Sequence, residues 1–228
     1  MSWLSLSPVE FQALTLSLWV AMVSVVVSLP FATAVAYVLA RRRFWGHGLL
    51  NALVHLPLVL PPVVTGYLLL MAFGRRGIFG PPLEALGLQL AFTSAGAALA
   101  AAVMAFPLIV RAIRLALEAV DPKLEEAAST LGASSVKVFV FVTLPLSLPG
   151  ILAGAVVGFA KALGEFGATI TFVSNIPGET QTIASAIYAL LQVPGQEAAV
   201  GRMIGFSILL SFGALLLSEV LARRMVRQ

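Results

Sequence analysis

The chain has 228 residues, of which 60% are hydrophobic and only 11% charged, with a mean hydropathy of +1.01. A soluble domain carries about a quarter charged residues, so a water-soluble globule is excluded and the chain reads as an all-α integral membrane protein. The net charge of +4 then marks membrane-flanking loops rather than a nucleic-acid partner, and the lack of cysteine removes disulfides and thiolate metal sites.

Spans of roughly 20 apolar residues are predicted, in chain order, at 11–40, 49–73, 88–110, 146–173 and 198–222. The first is overlong for one straight crossing, and a kink is expected at Pro30. No cleavable signal peptide is expected, because the apolar run is too long and no basic segment precedes it. The first basic residues are Arg41, Arg42 and Arg43. Five spans with the N-terminus outside put 10 lysines and arginines in the cytoplasm, among them Lys123, Lys137, Arg223, Arg224 and Arg227, against 3 outside, Arg75, Arg76 and Arg202. The apolar run 182–193 is too short to cross and reads as an external or re-entrant helix. Residues 11–222 form one membrane domain.

Between the third and fourth spans lies a polar stretch, residues 121–143. Asp121 suits an N-cap and Pro122 the first helical position. Glu125 and Glu126 lie in the opening turns, where negative charge is favoured. Ala127, Ala128 and Ser129 are small enough to admit another backbone, and Gly132 is placed as a helix stop. Ser134 caps a second short helix carrying Val136, Phe139 and Val140, and Pro145 and Pro149 are expected to break the chain before the next span. The residues alone leave open whether this is an ordinary surface helix or a handle for a partner.

The fourth span contains Lys161 and Glu165, spaced i, i+4. That spacing allows an ion pair, which offsets the cost of burying charge in hydrocarbon. Either the pair lines a pathway or it locks helices together, and packing is the preferred reading. Gly154 and Gly158, and then Gly164 and Gly167, permit close helix approach. Pro61-Pro62 must interrupt helical hydrogen bonding. Similar Leu/Pro runs at 56–62 and 144–150 read as coincidence rather than an internal repeat. His47 and His55 have no second ligand nearby and read as interfacial and packing residues, so no metal is expected. No Gly-x4-Gly-Lys-Ser/Thr pattern occurs, so this chain does not cradle ATP itself.

Glu126-Ala127-Ala128, three residues, Gly132, nine residues and Val142-Thr143-Leu144-Pro145 resemble the EAA loop of binding-protein-dependent ABC importer permeases. The family pattern is E-A-A-x3-G-x9-I-x-L-P, and the one departure is Val142 in place of isoleucine. The resemblance implies that Glu125, Glu126, Ala127, Ala128, Gly132, Leu144 and Pro145 couple the chain to an ATPase. "HLPLVLPPVVTGYLLL", "FPLIVRAIRLALEAVD" and "LGEFGATITFVSNIPGETQTI" resemble the molybdate permeases of that family. Sulfate permeases share Gly164-Glu165-Phe166-Gly167, and the continuation from Ser174 and Asn175 to Thr180 points to molybdate.

Covering residues 11–224, the resemblance implies a type I importer fold and a homodimer in the bacterial inner membrane. It also implies two cytoplasmic ATPase subunits binding ATP and Mg, and a periplasmic molybdate-binding protein. Molybdate is the implied cargo, with tungstate carried too; this chain would bind lipid around it and no cofactor of its own. The alternatives are a sulfate or thiosulfate permease of the same fold and an ATPase-independent secondary carrier. A carrier would show ionisable residues in several spans. A membrane enzyme would need a convergent catalytic set, which the sequence lacks.

Overall fold

The computed structural model describes residues 6–226, with the side chains of residues 215, 217–219 and 221–226 outside the description. The C-terminal arginines expected at the cytoplasmic end, Arg223, Arg224 and Arg227, therefore lie outside the described side chains, as does Gln228. Among the described residues four helices are long and apolar enough to cross a membrane, or five if one bent pair is counted as a single span.

Helix α1 spans Pro8–Arg41 and runs on through Pro30 as one element of 34 residues. At 1.5 Å per residue it is about 50 Å long, so both ends reach past a hydrocarbon layer of about 30 Å. Ser7 and Glu10 close its first turn as a capping box. Its buried face is a run of small residues, Ala13, Ser17, Ala21, Ser24, Ser28, Ala32 and Ala36. Small side chains let a second backbone come close, which is how helices associate where lipid removes the hydrophobic drive. The neighbour is α5, Ser94–Ala119, itself lined with Ala97, Ala98, Ala101 and Ala105. The Ser24 hydroxyl lies 2.9 Å from the Ala98 carbonyl across this contact.

The region read as one span at 49–73 is not a single helix. It is divided into α2, His47–Val59, and α3, Pro62–Phe73, with a bend of 113° between them at the expected Pro61-Pro62 interruption. Pro61 and Pro62 contribute no N–H, and a residue before proline avoids helical geometry, as Leu60 does at φ −69° and ψ 141°. After a short α4, Gly80–Ala85, helix α5 starts later than the expected 88–110 and continues to Ala119. Thr93 fixes that start by accepting the N–H of Gly96 at 3.2 Å.

Helix α6 is Pro122–Thr130 and α7 is Ser135–Val138. The break expected at Pro145 and Pro149 does not occur. A π turn over Phe139–Thr143 joins α7 to α8, Leu144–Leu163, in one continuous helix. The N–H of Leu144 reaches back to Phe139, five residues, so the register widens just ahead of Pro145 and makes room for its ring. The expected span 146–173 is instead divided by Gly164–Phe166, beyond which lies α9, Gly167–Val173. Then follow α10, Ile183–Leu190, inside the run read as external or re-entrant, and α11, Glu197–Val226.

Helix α8 packs antiparallel on α5. Gly150 faces Ala116, Gly154 faces Ile113 and Gly158 faces Ile109, so a three-glycine stripe seats one helix on the other. Helix α1 runs parallel to α5, with Arg41 reaching the Val120 carbonyl beyond its end. The core is formed by α1, α5, α8 and α9, with Ile109, Ile113, Leu117 and Phe172 fully buried. The bundle thus has an Arg41 end and a Glu10 end.

Candidate coupling and translocation site

At the Arg41 end, Asp121 caps α6 by accepting the N–H of Lys123 at 3.0 Å, and Pro122 takes the first helical position as expected. Gly132 adopts φ +87°, with its amide returning to Ser129 and that of Ala133 to Ala128. The turn needs a residue that tolerates the left-handed region, and glycine does so without strain.

The two glutamates of this loop have different surroundings. Glu126 is exposed, as are Ala127 and the apolar side chains of Leu131 and Val136. Glu125 faces inward. Its Oε1 accepts from Arg41 Nη2 at 3.0 Å and from the buried Thr143 hydroxyl at 2.7 Å. Arg41 Nη2 also donates to the Val120 carbonyl at 3.1 Å. One carboxylate therefore ties α6 to the end of α1 and to the π turn that leads into α8. Tyr37 adds an edge-to-face contact with Phe139, ring centroids 4.8 Å apart. Leu144 and Pro145 open α8 and are half-buried and exposed respectively.

The second cluster lies where α8 gives way to α9. Lys161 Nζ and Glu165 Oε2 are 2.7 Å apart, with Glu165 only 2% exposed and the Lys161 side chain 30% exposed. The two are not on one continuous helix as the spacing implied, since α8 ends at Leu163. The other carboxylate oxygen of Glu165 accepts the N–H of Ala168 at 3.0 Å. Glu165 thus bridges the break, pairing with the last turn of α8 and capping the first turn of α9. Against α9 lies α3. A Cβ on Gly66 would strike the Ala168 backbone, and one on Gly167 would lie 2.7 Å from Pro62 Cβ. Gly164 occupies the C-cap of α8 and is exposed. The Thr65 hydroxyl is buried beside this contact without a partner among the described residues.

Ser174 and Asn175 are not brought to Lys161. They follow the far end of α9, about 10 Å along its axis. Ser174 sits at φ +65°, and the loop beyond it is closed by the Thr180 hydroxyl, which accepts the Ile176 N–H at 2.9 Å. The Asn175 Oδ1 is buried and unpartnered among the described residues. His55 and His47 each bond a backbone carbonyl, of Asn51 and Leu39.

At the opposite end the structure shows a pair that sequence reasoning missed. Both Nε and Nη2 of Arg202 approach Glu10 Oε1, at 3.2 and 2.8 Å, and Glu10 is 4% exposed. The Ser7-x2-Glu10 capping pattern was legible in the sequence; its arginine partner, 192 residues away, was not.

The family described as the binding-protein-dependent transport system inner membrane component matches residues 28–227. The chain belongs to this family. Among relatives of this inner membrane component, the "Molybdenum transport system permease protein ModB" of Haemophilus influenzae is 58% identical over 220 residues, covering 96% of each chain. The protein of the same name in Escherichia coli K12 is 59% identical over 215 residues, 94% of each. The "Sulfate transport system permease protein CysT" of Salmonella typhimurium is 34% identical, covering 96% of this chain and 80% of the relative. In fold, the chain resembles a bacterial ABC transporter that imports alginate, with a TM-score of 0.75 at 18% identity over 96% of this chain and 80% of the other. It also resembles the MetNI methionine ABC transporter, with a TM-score of 0.70 at 16% identity over 96% and 99%. The fold is that of a type I ABC importer permease.

Proposed function

We infer that this chain is the membrane-spanning subunit of an ATP-driven importer that moves molybdate, and tungstate with it, across the bacterial cytoplasmic membrane. The observation that carries the reading is the 58–59% identity, over nearly the whole of both chains, to two molybdenum transport permeases. The working unit is two copies of the chain, two cytoplasmic ATPase subunits that bind ATP and Mg, and a periplasmic molybdate-binding protein. The Arg41 end faces the cytoplasm and the Glu10 end the periplasm, the orientation favoured by the lysine and arginine distribution.

In this reading the exposed side of α6, with Glu126, Ala127 and Leu131, is the face offered to the ATPase. Glu125 faces the other way, so a displacement of α6 is handed to α1 through Arg41 and to α8 through Thr143. The α3–α9 contact lies in the same bundle as α8, and its glycine packing leaves little room for independent movement. The Lys161–Glu165 pair serves this packing: it satisfies a buried carboxylate and holds the α8–α9 break in place.

The test is uptake of radiolabelled molybdate by proteoliposomes holding the full complex, with ATP inside and loaded binding protein outside. ATP-dependent uptake that unlabelled tungstate suppresses and sulfate does not is expected. Uptake of sulfate in preference to molybdate would assign the chain to the sulfate class instead, and uptake without the ATPase would make it a secondary carrier.

A further inference from the structure

Two cavities lie in line along the seam between α1, α2 and α5, and they differ in chemistry. At the Arg41 end is a space of about 450 Å³ lined by Arg42, Arg43, Phe44, His47, Arg114 and Glu118. Arg114 is already engaged, donating to Glu118 at 2.7 Å and to Asn51 at 3.1 Å. The side chains of Arg42 and Arg43 make no hydrogen bond or ion pair among the described residues. Among the described residues the space thus holds two positive charges with no counter-ion. Further along the same three helices, toward the middle of the bundle, is an apolar groove of about 470 Å³ lined by Val27, Phe31, Leu53, Pro57, Val103 and Phe106. From Leu39 to Phe31 the two are eight residues apart on α1, or about 12 Å.

We propose that this paired cavity binds one anionic phospholipid, its phosphate on Arg42 and Arg43 and an acyl chain in the groove. Size and order fit: an anionic group at the helix ends, then apolar surface running into the hydrocarbon. Helix α2, which forms one wall of the seam, packs Leu50 and Val54 against the core, has no fully buried residue and leaves Leu49 and Leu53 exposed. Trp45, fully exposed and lying in sequence between Phe44 and His47 of the basic cavity, is the residue type that settles at the headgroup level. A free oxyanion would use the arginines alone and leave the groove unexplained. A basic pocket between transmembrane helices at a membrane surface is a recognised way of holding an anionic headgroup. The inference rests on the chain spanning a membrane and is independent of the cargo it moves.

Native mass spectrometry of the purified full-length chain, titrated with phosphatidylglycerol or phosphatidylethanolamine, tests it. One phosphatidylglycerol per chain is expected, bound in preference to phosphatidylethanolamine. The Arg42→Gln/Arg43→Gln variant should weaken phosphatidylglycerol about 30-fold, roughly five- to six-fold per arginine, and leave phosphatidylethanolamine unchanged. Ala102→Phe, which fills the groove (Ala102 is part of its lining), should lower retention of long-chain phosphatidylglycerol while the arginines are intact. Equal binding of the two lipids, or no loss in the double arginine variant, would overturn the proposal. So would displacement of the bound lipid by millimolar phosphate or molybdate, since the site would then be one for a free oxyanion. A variant that changes the oligomeric state in place of lipid retention would show that a second copy covers the seam, and that too would overturn it.

Discussion

Arg41 and Glu125, 84 residues apart, meet at 3.0 Å where the last turn of α1 touches α6. The contact is largely shielded, with side-chain exposures of 15% and 22%, and Thr143 shares the same carboxylate oxygen. Removing one partner strands a half-buried charge, a loss of roughly 1–3 kcal/mol. Glu125→Ala and Arg41→Ala should each lower the thermal stability of the purified chain and reduce ATP-coupled uptake. The double variant should cost less than the sum of the two, with a coupling of about 1–2 kcal/mol. Strict additivity in unfolding measurements would show that the two residues do not act together.

Gly132 has open space around its Cβ position, so backbone conformation and surface charge can be separated there. Asn and Asp are nearly isosteric, and both tolerate the left-handed region better than most residues. Gly132→Asn is expected to retain most uptake. Gly132→Asp, which adds a charge to the face proposed to meet the ATPase, should insert normally and abolish uptake. Equal activity of the two variants would remove this turn from the coupling surface.

The glycine stripe of α8 makes a graded prediction. A Cβ at Gly158 would lie 2.5 Å from Cγ1 and 2.6 Å from Cδ1 of Ile109, a side chain with rotamers to change. A Cβ at Gly150 would meet the Cβ of Ala116, which has no rotamer to change. Gly150→Ala should therefore be destabilising by about 1–3 kcal/mol and Gly158→Ala by less. Adding Ala116→Gly should restore stability to Gly150→Ala. A thermal-unfolding series in detergent with the reverse order would mean that α5 and α8 pack in another register.

Lys161 and Glu165 were read as a packing pair, and Glu165 proves to be a cap as well as a counter-ion. Lys161→Met leaves the carboxylate buried with one backbone donor, a loss of about 3 kcal/mol, reduced by the partial exposure of the lysine. Lys161→Met with Glu165→Gln should recover much of the assembly and uptake, because glutamine can still accept from Ala168. A double variant that assembles and hydrolyses ATP yet imports no molybdate would place Lys161 in the pathway.

Orientation can be read with single cysteines, since the chain has none of its own. Trp45→Cys and Glu179→Cys sit at exposed positions toward opposite ends of the bundle. An impermeant maleimide added to intact spheroplasts should label Glu179→Cys and not Trp45→Cys. The opposite pattern would invert the topology.

The sequence by itself determined the membrane class and the punctuation of the loop 121–143. Asp121, Pro122 and Gly132 act over one or two turns, so their geometry follows from neighbours in the chain. The Lys161–Glu165 contact was legible from its i, i+4 spacing, though not the helix break it bridges. Tertiary structure alone decided which faces meet. In a chain apolar on every side, hydrophobic periodicity does not mark the buried face. Helix α1 buries Ala21, Ser24 and Ala32 and leaves Trp19, Val26 and Phe31 exposed, the reverse of a helix in water. The break at Pro61-Pro62 was legible in the sequence, but the direction α3 takes after it, the division of 146–173, and the Arg41–Glu125 and Glu10–Arg202 pairs depend on packing between distant segments, 84 and 192 residues apart for the two pairs. Proline fixes where a helix stops, but the direction of the next one is set by what it packs against.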